Sequence, residues 1–206
     1  MGNCCATVTD LLLSKSSTSS SSSNPGLAAV KFDPKYRAST INIINKTTID
    51  GNGTVLCDTP IDQLRAFWEF EIEDMGTSNN GQFSLGVVRR ANLKPPPNDK
   101  GWCNKQLGED ARSKCLCSTE AGVDFSKGDV LGVALDMNYK RLQFYLNGVS
   151  LEVEITLEPR FCAPFPAVSV KNNVRLSANW SGPFAYFPNT LESRDYDGIV
   201  AARSIL

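Results

Sequence analysis

A chain of 206 residues has room for one domain with a sizeable core and some sequence outside it. Lys plus Arg number 21 and Asp plus Glu 22, so the net charge of −1 offers no basic excess for neutralising phosphates, and no nucleic-acid partner is expected. Histidine is absent, which removes Ser–His and Cys–His nucleophile pairs and every His-containing metal site, leaving carboxylate- and lysine-based catalysis open.

The chain opens MGNCCATVTD. Gly2 is the acceptor position for N-myristoylation, and Cys4 and Cys5 beside it are acceptors for palmitate, although Ala6 stands where the usual pattern has Ser or Thr. This opening resembles the N-termini of dually acylated proteins such as the calcium-dependent kinases of plants and protists. A single myristoyl chain binds membranes only marginally, and Lys15 is the one basic residue among the first thirty. The second anchor expected is therefore palmitate on Cys4 or Cys5. Residues 14–23 are nearly all Ser or Thr and cannot bury enough apolar surface to offset their ordering entropy. Residues 1–38 are expected to form a disordered tether.

Leu11, Leu12 and Leu13 are too short an apolar run for a secretory signal, and no stretch is long enough to span a bilayer. The expected location is the cytosolic face of a membrane, with a soluble cytoplasmic protein as the alternative. The sequons at Asn45, Asn52 and Asn179 are then not glycosylated. The seven cysteines are expected to be reduced. Cys103, Cys115 and Cys117 lack the usual zinc spacing, so no metal and no small-molecule cofactor is expected.

From about Ile41 the chain alternates with period two rather than 3.6. Over residues 67–73, Trp68, Phe70 and Ile72 point one way and Glu69, Glu71 and Glu73 the other, predicting a strand with a solvated acidic face. Residues 83–88 predict an apolar central strand. Residues 130–136 and 141–146 predict a hairpin, and Asn147-Gly148 predicts a tight turn into a return strand over 149–155. Residues 167–170 and 174–180 flank a turn at Lys171, Asn172 and Asn173, with Val174, Leu176, Ala178 and Trp180 on one face. Short strands and frequent turns with little helix argue for an antiparallel β-sandwich. Residues 89–120 break the pattern: they are polar, interrupted by Pro95, Pro96 and Pro97, and read as a long functional loop.

Taken together these motifs resemble a SPRY domain. The run KGDVLGVALDMNYKRLQFYLNGVSL at residues 127–151 is similar to the family's central signature, GD-hydrophobic-G followed by F-x-x-NG. Trp68-Glu69 sits at the family's Trp strand, and FSLGVV at 83–88 is similar to its IGWA-like strand. PFPAVSV at 164–170 resembles the family's YPAVSL strand, VRLSANW at 174–180 its closing strand, and Pro183-Phe184-Ala185-Tyr186 the tail that follows. The resemblance covers about residues 41–188. It implies a concanavalin-like antiparallel sandwich, all-β, spanning 39–190, with 191–206 as a C-terminal tail.

The resemblance also implies a non-catalytic protein-interaction module that binds a protein or peptide with loops gathered at one end. Carried over, those loops are residues 89–102, with Arg89, Arg90, Asn92, Leu93, Lys94 and Trp102, and the turn of Lys171, Asn172 and Asn173. The peptide-binding adaptor subset has Trp-Gly where this chain has Lys171-Asn172, so its peptide preference does not carry over. Arg89, Arg90, Lys94 and Lys100 make a local basic cluster, each side chain either contacting a partner or simply solvated. Trp102 either anchors a partner or packs beneath its own loop. A lectin-like carbohydrate site is the alternative from another class, since lectins share the architecture. A hydrolase using Glu69 or Glu71 is a third. The C-terminal Ser204-Ile205-Leu206 fits the ending that PDZ-type domains capture.

Overall fold

Alternation along the strands decides which side chains meet between two sheets, and here it builds a sandwich. A computed structural model describes residues 29–77, 81–89, 104–109 and 111–200. In chain order the strands are β1 (Phe32–Arg37), β2 (Ile41–Ile43), β3 (Thr48–Gly51), β4 (Gly53–Cys57), β5 (Arg65–Asp74) and β6 (Gln82–Val88). They continue with β7 (Ser113–Cys117), β8 (Val130–Asp136), β9 (Arg141–Leu146), β10 (Val149–Thr156), β11 (Phe165–Lys171) and β12 (Arg175–Asn179). One sheet has the order β1-β4-β11-β6-β7 and the other β10-β9-β8-β5-β12-β3-β2. Each named pair is antiparallel, as the sequence predicts.

The inner faces supply one core. Trp68, Phe70 and Ile72 of β5 are fully buried with Leu85, Val133, Phe144, Val168 and Leu176. Each such side chain contributes roughly 1.5–3 kcal/mol relative to exposure. Trp180 closes the cluster, its ring edge-on to Phe32 at 5.2 Å and Phe70 at 5.4 Å, so that it joins strands of both sheets. Val174, Leu176, Ala178 and Trp180 share the buried face as expected. Asn147 and Gly148 both have positive φ, 50° and 80°, the conformation a tight Asn-Gly hairpin needs. The turn at residues 171–173 differs: β11 and β12 lie in different sheets, so it carries the chain across the sandwich.

Three expectations are corrected. Residues 89–120 are not loop throughout, because Ser113–Cys117 forms the edge strand β7 against β6. Only Leu116 of that strand is a buried member of the core, with Cys115 partly buried against it, so the alternation is too short to read. Strands begin at Phe32 rather than near Ile41. The outer face of β5 is not solvated along its length. Phe67 and Glu69 are buried, because residues after β12 fold back over them.

That returning segment forms a strap. Phe184, Phe187, Leu191 and Tyr196 pack with Phe67, Ala134 and Tyr145 in a second apolar cluster. Phe67 meets Phe184 and Phe187 edge-on at 4.9 and 5.0 Å. Arg65 holds the strap's far end, bonding Asp136 at 3.0 Å and Asp195 at 2.7 Å, and Asp197 bridges to Ala66. Ile199, buried, donates its N–H to the Trp180 carbonyl. The fold thus uses chain on both sides of the 39–190 span.

Candidate interaction surface

Strand register sorts the loops between the two ends of the sandwich. β11 pairs with β6 from Phe165↔Val88 to Lys171↔Gln82. Residues 171–173 therefore stand at the end where β6 begins, and Arg89 at the end where it stops. At about 3.3 Å per residue the two ends are roughly 20 Å apart. The expected gathering of Arg89 with Lys171, Asn172 and Asn173 on one rim does not occur. Arg90, Asn92, Leu93, Lys94 and Trp102 lie outside the described residues, as do Gly2, Cys4, Cys5 and the terminal Ser204-Ile205-Leu206. Arg89 donates its N–H to the Arg112 carbonyl, and its side-chain Nε is enclosed without a hydrogen-bond partner among the described residues.

The end bearing residues 171–173 is a hydrogen-bonded unit. Asn172 and Asn173 both adopt the left-handed conformation, φ 58° and 60°, which Asn tolerates better than most residues. Asn52, in the turn between β3 and β4, accepts the Asn172 N–H at 2.8 Å and donates to Asn173 Oδ1 at 3.4 Å. Asn173 gives its N–H to the Gly51 carbonyl and its side-chain amide to Thr77 Oγ1. Thr77 N–H returns a bond to the Asn172 carbonyl at 2.8 Å. Gly76 passes so close that a Cβ there would lie 2.0 Å from that carbonyl oxygen. Three connections are thereby locked together.

Beside this unit lies an open cleft of about 430 Å³ between the β5–β6 and β7–β8 connections. Met75, Gly81 and Gln82 line one wall and Ser118, Thr119, Gly122, Val123, Asp124 and Phe125 the other. Phe125 is propped edge-on against Phe83 at 5.1 Å, and Val123 is exposed. These residues were not singled out from sequence, since a Ser- and Gly-rich connection reads as a solvated loop. Val123 and Phe125 within it were the available signal.

The outer face of the five-stranded sheet is also covered. Thr54 Oγ1 donates to the Lys105 carbonyl, Leu107 N–H to Ser169 Oγ and Gly108 N–H to Ser113 Oγ, so residues 105–108 cross over β4, β11 and β7. Beneath them Cys115 and Cys117 face the same way with sulfurs 4.0 Å apart, and burial pushes the Cys115 thiol well above its ordinary range, with Cys117 adding to the shift. No set of three or more His, Cys, Asp or Glu suited to a metal occurs among the described residues.

Glu69 does not present the geometry of a hydrolytic pair with Glu71. Its Oε2 accepts the Ala185 N–H at 2.8 Å and its Oε1 the Tyr186 N–H at 2.7 Å, while Glu71 is exposed. Glu69 fastens the strap. On the solvated side, Arg175 is held above its usual range by its hydrogen bond to Asp50 and the nearby Glu73 and Asp74 carboxylates.

The family model for the SPRY domain matches residues 65–183. Among solved structures the chain is similar to a human SPRY domain, with TM-score 0.53 and 14% identity over 76% of this chain and 100% of that one. It is also similar to the stonustoxin structure, with TM-score 0.53 and 16% identity over 74% of this chain and 27% of that one. At these identities the likeness to solved structures shows the fold. A search of curated proteins finds no match.

Proposed function

The chain belongs to the SPRY domain family, whose members generally serve as protein-interaction modules, and from that premise we propose that it binds a protein or peptide partner without catalysis. The observation that supports a particular face is the locked turn of Asn172 and Asn173 beside the cleft of Met75, Thr119, Val123 and Phe125. A partner docking there meets loops already fixed by hydrogen bonds, so little conformational entropy is lost on binding. The cleft offers three apolar side chains, Met75, Val123 and Phe125, among hydroxyl, amide, carboxylate and backbone groups, the mixture that seats a short peptide.

The tether completes the reading. Myristate on Gly2 with palmitate on Cys4 or Cys5 would hold the domain at the cytosolic face of a membrane and raise the local concentration of a membrane-resident partner. The domain then acts as a scaffold or adaptor.

Two double variants separate the faces in a pull-down. Thr119→Arg with Val123→Glu fills the cleft, and Arg90→Glu with Trp102→Ala strips the long loop of its charge and aromatic anchor. Loss of capture by the first alone, with an unchanged circular dichroism spectrum, supports the cleft. Loss by the second alone moves the site to the loop, and full capture by both ends the reading. Proximity labelling with wild type and Gly2→Ala tests the tether: neighbours that do not change would sink it.

A further inference from the structure

We propose that Cys115 and Cys117 form a two-thiolate site for a soft monovalent cation, Cu(I). The strand β7 carries them at i and i+2, which places both sulfurs on its outer face while Leu116 between them enters the core. Their cross-strand partners on β6 are a close-packed glycine and a hydroxyl donor. Opposite Cys115 is Gly86, and opposite Cys117 is Ser84, whose hydroxyl donates to Cys117 Sγ at 3.3 Å. A Cβ on Gly86 would lie 2.8 Å from Cys115 Cβ, so β6 packs directly against the base of that side chain. Above, Gly108 forms a roof: a Cβ there would lie 3.4 Å from Cys115 Sγ and 3.8 Å from Cys117 Sγ. The pair is built into the wall of a groove of about 510 Å³, which gives an ion a way in.

The separation of the sulfurs discriminates between their possible uses. A disulfide would have to bring them from 4.0 Å to about 2.05 Å between residues about 6.6 Å apart along a regular strand, at the limit of what that bridge spans. An ion between them needs no such movement. Two metal–sulfur bonds of about 2.3 Å span about 3.8 Å at a tetrahedral angle and about 4.6 Å in line, and 4.0 Å falls between.

Softness and coordination number choose the ion. Thiolates select Cu(I) and zinc over hard cations. Zinc is almost always four-coordinate in structural sites, and no third His, Cys, Asp or Glu joins the pair among the described residues. Cu(I) is satisfied by two thiolates. On binding, both S–H protons pass to water and two copper–sulfur bonds form; the copper stays Cu(I) and nothing is oxidised.

The test uses the full chain with Cys4, Cys5, Cys103 and Cys162 replaced by Ser, so that only Cys57, Cys115 and Cys117 remain. Cys57 is buried in the core. Under anaerobic conditions, competition against bicinchoninate for Cu(I) is expected to show one ion per chain. Adding Cys115→Ser or Cys117→Ser should weaken binding by about 100-fold or more. Unchanged affinity in either variant, or no uptake by the parent, overturns the proposal. A second measurement does not depend on those variants folding: copper X-ray absorption on the loaded parent should show two sulfur neighbours, and a shell of nitrogen or oxygen would refute the site. Zinc titrated in parallel must bind more weakly; tighter zinc binding would equally refute it.

Discussion

The Glu69 carboxylate and the Tyr186 backbone N–H, 2.7 Å apart but separated by 117 positions in sequence, join the outer face of β5 to the strap that covers it. The other carboxylate oxygen takes the Ala185 N–H, so one buried side chain satisfies two amides of an irregular segment. Removing it leaves both without a partner. Glu69→Ala is expected to lower unfolding free energy by about 2–4 kcal/mol, and Glu69→Gln, which keeps one acceptor oxygen, by roughly half that. Urea titration reads this as a lower midpoint at constant slope. A loss no greater than that of the exposed Glu71→Ala would show that the clamp is not structural.

Two glycines predict contrasting costs. A Cβ on Gly132 would meet Phe67 Cζ at 2.6 Å, the edge of a ring that can shift within the strap cluster. A Cβ on Gly86 would meet the Lys114 carbonyl oxygen at 2.0 Å and Cys115 Cα at 2.6 Å, backbone that can yield only by parting β6 from β7. Overpacking costs typically about 1–3 kcal/mol, so Gly132→Ala belongs near the bottom of that range and Gly86→Ala at or beyond its top. Thermal unfolding of the two variants checks the order; equal losses would mean that β7 yields as easily as a side chain.

Alkaline pH should loosen the strap first. Burial raises both the Tyr145 and Tyr196 phenols above their ordinary range; Asp136 adds to the shift of Tyr196, while the Thr190 hydrogen bond opposes that of Tyr145. The folded state therefore holds these protons after the unfolded chain has released them near pH 10. Their contribution is complete below that pH and is lost as pH rises through the raised values. The urea midpoint should fall as pH rises above about 10, and Tyr145→Phe with Tyr196→Phe should flatten the fall. An equal slope in wild type and variant would exclude these phenols as the cause.

How far the chain could be read depended on what covered each face. β5, β6, β8, β9, β10 and β11 each run for at least six residues, either alternating or, as in β6, β8 and β11, apolar and buried nearly throughout, and Asn147-Gly148 names its own turn, so these were legible. β2 and β3 have three and four residues, too few to display a period. Glu69 misled because alternation assigns a face but not its cover, and the cover comes from residues more than a hundred positions later. Phe184, Phe187, Leu191 and Tyr196, spaced through the tail, were its trace. Arg89 stands apart from the turn at residues 171–173 for a related reason: strand direction, not motif order, decides which strand ends lie together, and β11 runs opposite to β6.

The Asn173 turn permits a prediction that separates backbone strain from lost contacts and bears on the proposed face. At φ 60° a non-glycine residue other than Asn or Asp is strained by about 1–2 kcal/mol, and glycine is not. Both Asn173→Ala and Asn173→Gly lose the 3.4 Å bonds to Asn52 and Thr77, which are exposed and weak. Alanine should therefore cost about 2 kcal/mol and glycine under about 1. Urea unfolding of the three proteins checks this, and an alanine variant as stable as the glycine one would contradict the strained conformation. The binding readout runs the other way. Glycine removes the two side-chain bonds to Asn52 and Thr77 and frees the backbone at this position, while the bonds made by the Asn172 N–H and carbonyl stay, so partner capture at this end should weaken further than the small stability change accounts for. Capture by Asn173→Gly equal to wild type would mean that the locked turn contributes nothing to recognition.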